Sequence, residues 1–190
     1  MSKRGLNSES IMEAACELVK DNGYDSFSLR ELASRLGVKP ASLYNHVNGI
    51  EQIKQSIAMK SSEMLSGVLS DAIDGKERDD AFLDAMRAYR RFAVDNPEMY
   101  KALIHIPSAE NESFFKAAFE SYEPLRSLVL SYGAEDTAAL HYLRALRSVM
   151  HGFAELTANG FMQRGPENSS ETYEVIIHSF LETLKGLPKK

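Results

Sequence analysis

Apolar residues recur along this chain at intervals of three and four positions, and no stretch shows the sustained alternation of a half-buried strand. This period matches the turn of an α-helix, about 3.6 residues, and predicts an all-α protein. Capping and stop residues divide the chain into nine helices. They are expected at Ser8–Asp21, between Ser28 and Gly37, from Pro40 onward, and at Gly49–Ile73, Asp79–Asp95, Pro97–Ile104, Ala109–Ser131, Ala134–Asn159 and Ser170–Lys185.

The composition limits the class of protein. The chain has 190 residues, a formal net charge of -5 and a single cysteine. One cysteine excludes an intramolecular disulfide framework, and no run approaches the roughly 18 apolar residues of a membrane-spanning helix. Because the N-terminus lacks a secretory signal, we expect a cytoplasmic protein without a membrane partner. The length suits a small unit followed by a larger one, with an expected division into residues 1–54 and 55–190.

The acidic net charge argues against a nucleic-acid partner, because a protein that holds phosphates must bring cations to them. The charge is unevenly placed, however. Residues 1–54 contain seven Lys or Arg and seven Asp or Glu, so the excess of acid lies in the rest of the chain. Residues 27–47 hold three cations and one acid. This segment is therefore modestly basic and compatible with DNA.

The segment from Ser28 to Val47 has the pattern of a helix-turn-helix motif. Ser28 and Glu31 form a capping box at the start of its first helix. Ala33 is small enough for a close helix crossing, and Gly37 permits the left-handed conformation of a tight turn. The spacing alone is equally compatible with a plain helical hairpin, so both interpretations stay open at this point.

Two stretches resemble the DNA-binding domain of the TetR family of transcriptional regulators. They are FSLRELASRLGV, from Phe27 to Val38, and LYNHV, from Leu43 to Val47. The chain length, the single amphipathic helix before the motif and the number of helices are similar too. The resemblance implies that Pro40 to His46 is the recognition helix. It assigns DNA contacts to Arg30, Lys39, Pro40, Ala41, Ser42, Tyr44, Asn45, His46 and Lys54.

The motif departs from the family pattern at two positions. Lys39 stands where the family usually has a serine or threonine cap, and Ile50 stands where it commonly has a phosphate-binding lysine. Lys54, one helical turn later, is a partial substitute. His46 is interpreted as a backbone contact or packing residue, because a metal site needs three or four converging ligands. We expect neither a metal nor a cofactor.

The rest of the chain is richer in aromatic residues and methionine, which at helical spacing are most often core residues. The resemblance implies that a small-molecule effector binds between these helices. Pro124 is expected inside a helix, where it would kink the axis and open space. The set suits an apolar or aromatic effector, although Arg90, Arg91, Arg144 and Arg147 are able to hold an anion. The expected effector-binding residues are Met86, Tyr89, Phe92, Tyr100, Phe119, Tyr122, Met150 and Phe153.

The last two helices have the pattern of an association surface. Ala138, Ala145 and Gly152 recur every seven residues, so one side of this helix allows the close approach of another helix. The final helix carries a broad apolar stripe. In the resembled family these two helices form a four-helix dimer interface, and packing within one chain is the alternative. The expected dimer residues are Ala145, Ser148, Gly152, Ile177, Phe180, Leu181 and Leu184.

The segment from Val149 to Ala154, VMHGFA, is similar to a subgroup of the family with a WHG-like C-terminal domain. Taken together, the sequence favours a ligand-responsive, DNA-binding transcriptional regulator, most simply a homodimeric repressor on a palindromic operator. Two alternatives stay open. One is a helical interaction module whose DNA-binding motif is weakened, which is suggested by Ile50 at the position of the family's phosphate-binding lysine.

The other alternative is a small helical enzyme that uses the histidines of the larger domain, His105, His141, His151 and His178. His141 and His151 are ten residues apart, so they do not form the i, i+4 pair of a helical metal site. The sequence has no glycine-rich phosphate loop, nucleophile elbow or paired-cysteine site. We therefore expect a protein that is not an enzyme.

Overall fold

A computed structural model describes residues 6–104, 119–163 and 169–190. The described residues form nine α-helices, which confirms the expected all-α class. None of these helices is both long and apolar enough to span a lipid bilayer. In chain order they are α1 (Ser8–Asn22), α2 (Leu29–Arg35), α3 (Pro40–Leu43), α4 (Ile50–Ile73), α5 (Arg78–Asp95), α6 (Pro97–Ile104), α7 (Glu123–Ser131), α8 (Asp136–Ala158) and α9 (Ser169–Lys185), and a short 3-10 helix covers Phe161–Gln163.

The chain folds into two compact units. The first contains Met1–Met64 and Asn96–Glu120, and the second contains Leu65–Asp95 and Ser121–Lys190. The boundary falls inside α4, and α6 belongs to the first unit although it follows α5 in the chain. The two units are therefore not consecutive blocks of sequence. The functional division into residues 1–54 and 55–190 stays a prediction.

The core of the first unit forms on the apolar face of α1. Ile11, Ala15 and Val19 recur at intervals of four residues and are buried in one cluster with Leu32 of α2 and Leu43 of α3. Burying an aliphatic side chain of this size stabilises the fold by about 1.5–3 kcal/mol relative to leaving it in water. Packing on α1 is needed to keep α2 and α3 folded, because helices of seven and four residues are too short to persist in isolation.

Helices α4 and α6 complete this core. Ile53 and Ile57 of α4 and Met99 and Ala102 of α6 belong to the same buried cluster. The side chain of Ser61 is buried, and its hydroxyl donates a hydrogen bond to the carbonyl of Met99 at 2.6 Å. Since a buried hydroxyl has to find an acceptor, this bond fixes the position of α6 along α4.

The second unit packs α5, α7, α8 and α9 around buried rings and methionines. The hydroxyl of Tyr173 on α9 donates to the carbonyl of Met86 on α5 and lies 3.1 Å from the sulfur of Met150 on α8. The hydroxyl of Tyr142 on α8 donates to the carbonyl of Phe180 on α9 at 2.8 Å. Each tyrosine thus combines a buried ring with a specific bond to a neighbouring helix.

An ion pair connects α5 and α9 at the surface of this unit. The guanidinium of Arg87 donates two parallel hydrogen bonds to the carboxylate of Glu174, at 2.9 and 2.7 Å. The fork of arginine matches the two carboxylate oxygens, so the pair sets orientation as well as contact. The hydrogen bond from Arg87 lowers the pKa of Glu174 below its ordinary value.

The expectation of one kinked helix from Ala109 to Ser131 is wrong at Pro124. Helix α7 begins at Glu123, after a turn at Ser121 and Tyr122, so Pro124 lies in the first turn of a separate helix. At that position the absent N–H removes no intrahelical bond, and proline causes no kink. Residues 109–118 lie outside the described part of the chain.

The last residues of the chain pair with the turn between α7 and α8. The Glu135 N–H donates to the Pro188 carbonyl at 2.9 Å, and the Lys190 N–H donates to the Gly133 carbonyl at 3.0 Å. The two bonds flank an isolated antiparallel bridge between Ala134 and residue 189. Residues 187–190 are called the C-terminal strap below.

Cations satisfy the carbonyls at the end of α7. The Lys189 ammonium donates to the carbonyl of Tyr132 at 3.0 Å, and the guanidinium of Arg78 donates to that of Ser131 at 2.8 Å. Positive charge is favourable at the C-terminal end of a helix, where unpaired carbonyls concentrate partial negative charge. The strap therefore holds the turn between α7 and α8 through its backbone and the end of α7 through Lys189.

Replacing Glu135 by proline tests the strap. The variant removes the N–H that bonds to Pro188, while the native φ of -61° already suits a proline ring. We expect Glu135→Pro to lower the free energy of unfolding by about 1–3 kcal/mol, because the Pro188 carbonyl loses its donor. Glu135→Ala keeps the N–H and is the matched control, with an expected loss below about 0.5 kcal/mol. Denaturant unfolding followed by circular dichroism measures both, and equal losses would contradict the role of this bond.

Candidate nucleic-acid interface and effector site

The turn between α2 and α3 has the geometry that a helix-turn-helix requires. Gly37 adopts φ +66°, and a Cβ built on it would meet no atom within 4 Å. The need for glycine at this position is therefore conformational rather than steric. The Val38 N–H closes the turn by donating to the Ala33 carbonyl at 3.0 Å. Ala33 is fully buried at the crossing, which explains its small size.

Helix α2 begins at the capping box that the sequence indicates. The hydroxyl of Ser28 accepts the Glu31 N–H at 3.3 Å, and the Glu31 carboxylate accepts the Ser28 N–H at 2.9 Å. The two residues satisfy each other's free donors, so the start of this short helix is fixed locally.

The recognition element is shorter than expected as a regular helix. Helix α3 covers Pro40–Leu43, and a hydrogen-bonded turn continues it, in which His46 and Val47 donate their N–H groups to the Leu43 carbonyl at 2.8 and 2.9 Å. Leu43 is fully buried and anchors the element to the core. Lys39 precedes the helix without a side-chain cap.

The side chains around this buried anchor point into solvent. Tyr44 has 60% of its surface exposed, a large fraction for an aromatic residue. The exposed polar side chains of the recognition element, and that of Arg30 on α2, form no side-chain hydrogen bond or ion pair within the residues that the structure describes. Pro40 and Ala41 are exposed and Ser42 is half-buried. The uncommitted polar side chains are Arg30, Lys39, Tyr44, Asn45 and His46.

Two other cations of this unit are already engaged. Arg35 at the end of α2 donates to Asp21 of α1 at 2.6 Å and lies 3.6 Å from Glu17. Lys54 lies 4.0 Å from Glu51 and 5.6 Å from the centre of the Tyr24 ring. The basic character of the motif is therefore smaller than its sequence suggests. Arg35 holds α2 on α1, and Lys54 is a partly occupied candidate for DNA contact.

The expected effector residues divide between the two units. Tyr100 and Phe119 belong to the first, and Phe119 is 47% exposed. The others belong to the second unit, where Tyr122 is half-buried and the remaining side chains are buried. These buried members are Met86, Tyr89, Phe92, Met150 and Phe153.

An arginine faces the rings of this second-unit group. The guanidinium of Arg90 lies 5.4 Å from the centre of the Phe153 ring and 5.1 Å from that of Tyr173, and it donates to the hydroxyls of Ser169 and Ser170. Among the described residues it has no carboxylate partner. The cluster therefore combines buried apolar side chains with a half-buried positive charge. Tyr173 is not among the expected effector-binding residues, because it lies on the final helix, whose apolar stripe is expected to form an association surface.

A second polar group lies beside this cluster. The hydroxyls of Tyr89 and Tyr122 are 3.3 Å apart, and the guanidinium of Arg147 stacks 4.7 Å from the centre of the Tyr122 ring. Tyr122 forms the cap of α7, so this contact connects α5, α7 and α8. Polar groups of this kind fix the orientation of a ligand in an otherwise apolar site.

The expected dimer residues have different exposures. On α8, Ala145 and Ser148 are exposed, and a Cβ built on Gly152 would meet no atom within 4 Å. On α9, Ile177, Leu181 and Leu184 are buried in the core of the second unit. Their assignment to the dimer surface is therefore corrected, because they already pack within this chain. Phe180 is half-buried.

The outward side of α9 carries other residues. Val175 has 67% of its surface exposed, and Ser179 and Thr183 follow it at intervals of four. The hydroxyls of both turn back to carbonyls of the same helix at 2.8 and 2.9 Å, which leaves a flat surface of modest polarity. We call Ala145, Ser148 and Gly152, which lie on one side of α8, the small-residue face.

None of the histidines forms a metal site in the described part of the chain, where no group of three or more possible ligands converges. His178 bonds through Nδ1 to the carbonyl of Glu174 at 2.8 Å. His105 lies outside the described residues.

Comparison with known proteins agrees with this geometry. Residues 11–53 match the family model described as bacterial regulatory proteins of the tetR family, and residues 82–180 match a tetracyclin repressor-like C-terminal domain. The uncharacterized HTH-type transcriptional regulator YobS of Bacillus subtilis is 32% identical over 187 residues, which cover 97% of this chain and 96% of YobS.

Solved structures share the fold at lower identity. A protein of unknown function from Rhodococcus sp. RHA1 has a TM-score of 0.80 at 20% identity, covering 97% of this chain and 100% of that one. A single-residue variant of TetR from Acinetobacter baumannii, in complex with minocycline, has a TM-score of 0.71 at 18% identity, covering 97% and 99%. The family consists of regulators that are not enzymes, which removes the enzyme alternative. The chain belongs to the TetR family of DNA-binding transcriptional regulators.

Proposed function

We propose that this protein is a homodimeric repressor that binds a palindromic operator through α3 and leaves it when a small molecule binds the second unit. The observation that carries the proposal is the exposed and uncommitted set of polar side chains around α3. Groups that make no contact within the protein are free to contact bases and phosphates. Such a regulator acts on cytoplasmic DNA.

The side chains suggest a division of roles at the DNA. Tyr44 and His46 suit contacts with the DNA backbone, and Arg30 suits a phosphate or a groove edge. Ser42 and Asn45 are short polar groups that suit base edges in the major groove, which admits an α-helix. Lys39 adds a cation at the start of the same element.

The small number of free cations favours binding by two copies together. With Arg35 paired to acids of α1, one copy neutralises few phosphates, and affinity for DNA rises with the number neutralised. Two recognition elements held about 34–36 Å apart would read two successive major grooves of a palindrome. We infer that specific binding depends on both half-sites.

The small-residue face supports a homodimer. Its side chains are short, and the space beyond Gly152 is open within the chain, so another helix is able to approach closely. A second copy presents the same face, which satisfies the requirement that a two-fold interface be self-complementary.

We propose that the effector binds among Met86, Tyr89, Tyr122, Met150 and Phe153. A related fold holds minocycline, which supplies a precedent for a ring-containing ligand. Apolar walls suit an apolar or aromatic effector, and Arg90 offers a charge for an acidic substituent. The effector would shift the balance between a DNA-binding spacing and another spacing by its difference in affinity for the two.

A double variant, Tyr44→Ala with Lys39→Ala, tests the recognition element. We expect the wild-type protein to bind a palindrome near its own gene, and the variant to lose at least tenfold in affinity, since each contact contributes on the order of 1 kcal/mol. Electrophoretic mobility shift at low salt measures this, with circular dichroism to confirm the fold. Unchanged binding by the variant would overturn the site. Failure of the wild type to bind any genomic fragment would favour the interaction module.

Arg30 and Arg35 form a matched pair for the charge argument. Arg30→Ala should weaken operator binding and reduce its salt dependence, because Arg30 is free to meet a phosphate. Arg35→Ala should instead lower the thermal stability of the first unit, because it removes the contacts to Asp21 and Glu17. Fluorescence anisotropy across a salt series and thermal unfolding separate the two effects. Equal salt slopes for Arg30→Ala and wild type would contradict the assignment of Arg30.

Gly152→Leu tests the dimer. The added side chain enters open space in the isolated chain and improves helix propensity by roughly 0.5–1 kcal/mol, so the folded monomer should survive. The same side chain would hold a partner helix away from the small-residue face. We expect a dimer for the wild type and a monomer for the variant in analytical ultracentrifugation. An unchanged dimer would place the interface elsewhere.

A further inference from the structure

The turn between α1 and α2 is held from outside the helix-turn-helix, by α6. The backbone N–H of Tyr24 donates to the carboxylate of Glu98 at 2.6 Å. Lys101, one helical turn further along α6, forms an ion pair with Asp25. Two successive residues of the turn are therefore bound by two residues of α6.

The neighbouring amides of the turn find their acceptors locally. The Gly23 N–H donates to the Val19 carbonyl at 2.8 Å, and the Ser26 N–H donates to the Gly23 carbonyl at 3.3 Å. The Glu98 carboxylate that accepts the Tyr24 N–H is 74 positions away in the sequence. The contact with α6 therefore supplies the Tyr24 N–H with an acceptor from a distant part of the chain.

Glu98 is placed against this turn by a rigid support. A Cβ built on Gly23 would lie 3.5 Å from the Glu98 carboxylate oxygen, so the carboxylate contacts the turn closely. The next residue, Met99, is buried in the core of the first unit, and its carbonyl accepts the bond from buried Ser61. The carboxylate therefore has little freedom to move away from Tyr24.

The position of the turn between α1 and α2 determines where α2 and α3 lie. Phe27, three residues after Tyr24, is buried in the same core, and the capping box at Ser28 starts α2 directly after it. A change in the path of residues 23–26 therefore changes how α2 starts and, through the tight turn at Gly37, where α3 points. The orientation in which α3 meets DNA depends on this path.

We propose that Glu98 is a positioning residue for DNA binding. It contacts no DNA, and it acts by accepting the Tyr24 N–H and fixing the start of the helix-turn-helix relative to α1. The functional part of this inference rests on the proposed DNA contacts of α3. The acceptor oxygen of the side chain is what matters, and the negative charge is not needed.

Two variants separate the acceptor from the charge. Glu98→Gln keeps an oxygen at the same distance along the side chain, and Glu98→Ala removes it, while both remove one negative charge. A purely electrostatic role would make both variants bind DNA more tightly by the same factor. We expect operator binding by Glu98→Gln within about twofold of wild type and binding by Glu98→Ala weaker by about tenfold, because without its acceptor the turn would hold α2 and α3 in the DNA-binding arrangement in only about a tenth of the molecules.

Hydrogen exchange of the Tyr24 amide gives a readout that does not depend on DNA. Followed by NMR on the full chain, exchange should accelerate at least about tenfold in Glu98→Ala and stay near the wild-type rate in Glu98→Gln, because only alanine removes the acceptor oxygen. Amides in α8 should exchange at the wild-type rate in both variants, which confirms that the second unit stays folded.

The outcomes distinguish this inference from the proposed function. Equal DNA affinity, or equal Tyr24 exchange, in the two variants would overturn the role of Glu98. If the wild type binds no operator, the proposed DNA contacts of α3 and the positioning role fail together, and a Tyr24 exchange difference then shows the contact to be structural only. Rescue of both readouts by glutamine, with loss in alanine, is the expected result.

Discussion

Two helices of seven and four residues cannot persist in water, so the part of this protein that meets DNA depends on the core beneath it. Leu32 and Ala33 of α2 and Leu43 of α3 are buried in one cluster with the apolar face of α1. Because the burial is on one side only, the opposite side of α3 is left to polar residues that have no side-chain partner in the described part of the chain. Burial of one side therefore both stabilises the recognition element and leaves its other side exposed.

The cations of the first unit likewise divide into those that contact other residues of the protein and those that are left for DNA. Arg35 contributes to the fold because Asp21 and Glu17 lie within reach, and Lys54 lies beside Glu51 and the ring of Tyr24. Burial is the main cause of the raised pKa of Tyr24, so the tyrosine whose ring contacts Lys54 stays neutral. The cations left for DNA are few, which supports the proposal that specific binding depends on two half-sites rather than on a strongly basic surface.

In the second unit, residues that hold the helices together are also those proposed to bind the effector. Tyr173 holds α9 to the carbonyl of Met86, and its ring also faces the guanidinium of Arg90. The rings of Tyr89 and Tyr122 lie 6.2 Å apart beneath Arg147. A ligand that entered this cluster would replace contacts between helices with contacts of its own. Binding of the proposed effector would therefore be coupled to the arrangement of these helices.

Sequence alone predicts the all-α class, the capping box at Ser28 and the need for glycine at position 37, because each follows from the apolar period or from local backbone geometry. It did not determine that α6 joins the first unit, that Arg35 is paired, or that Ile177 and Leu181 are interior. Pro124 was misplaced because a helix start and a kink look alike in a sequence of apolar period. Which face of a helix meets another, and which charge meets a carboxylate, depend on distances between residues far apart in the chain, and only the tertiary structure sets those distances.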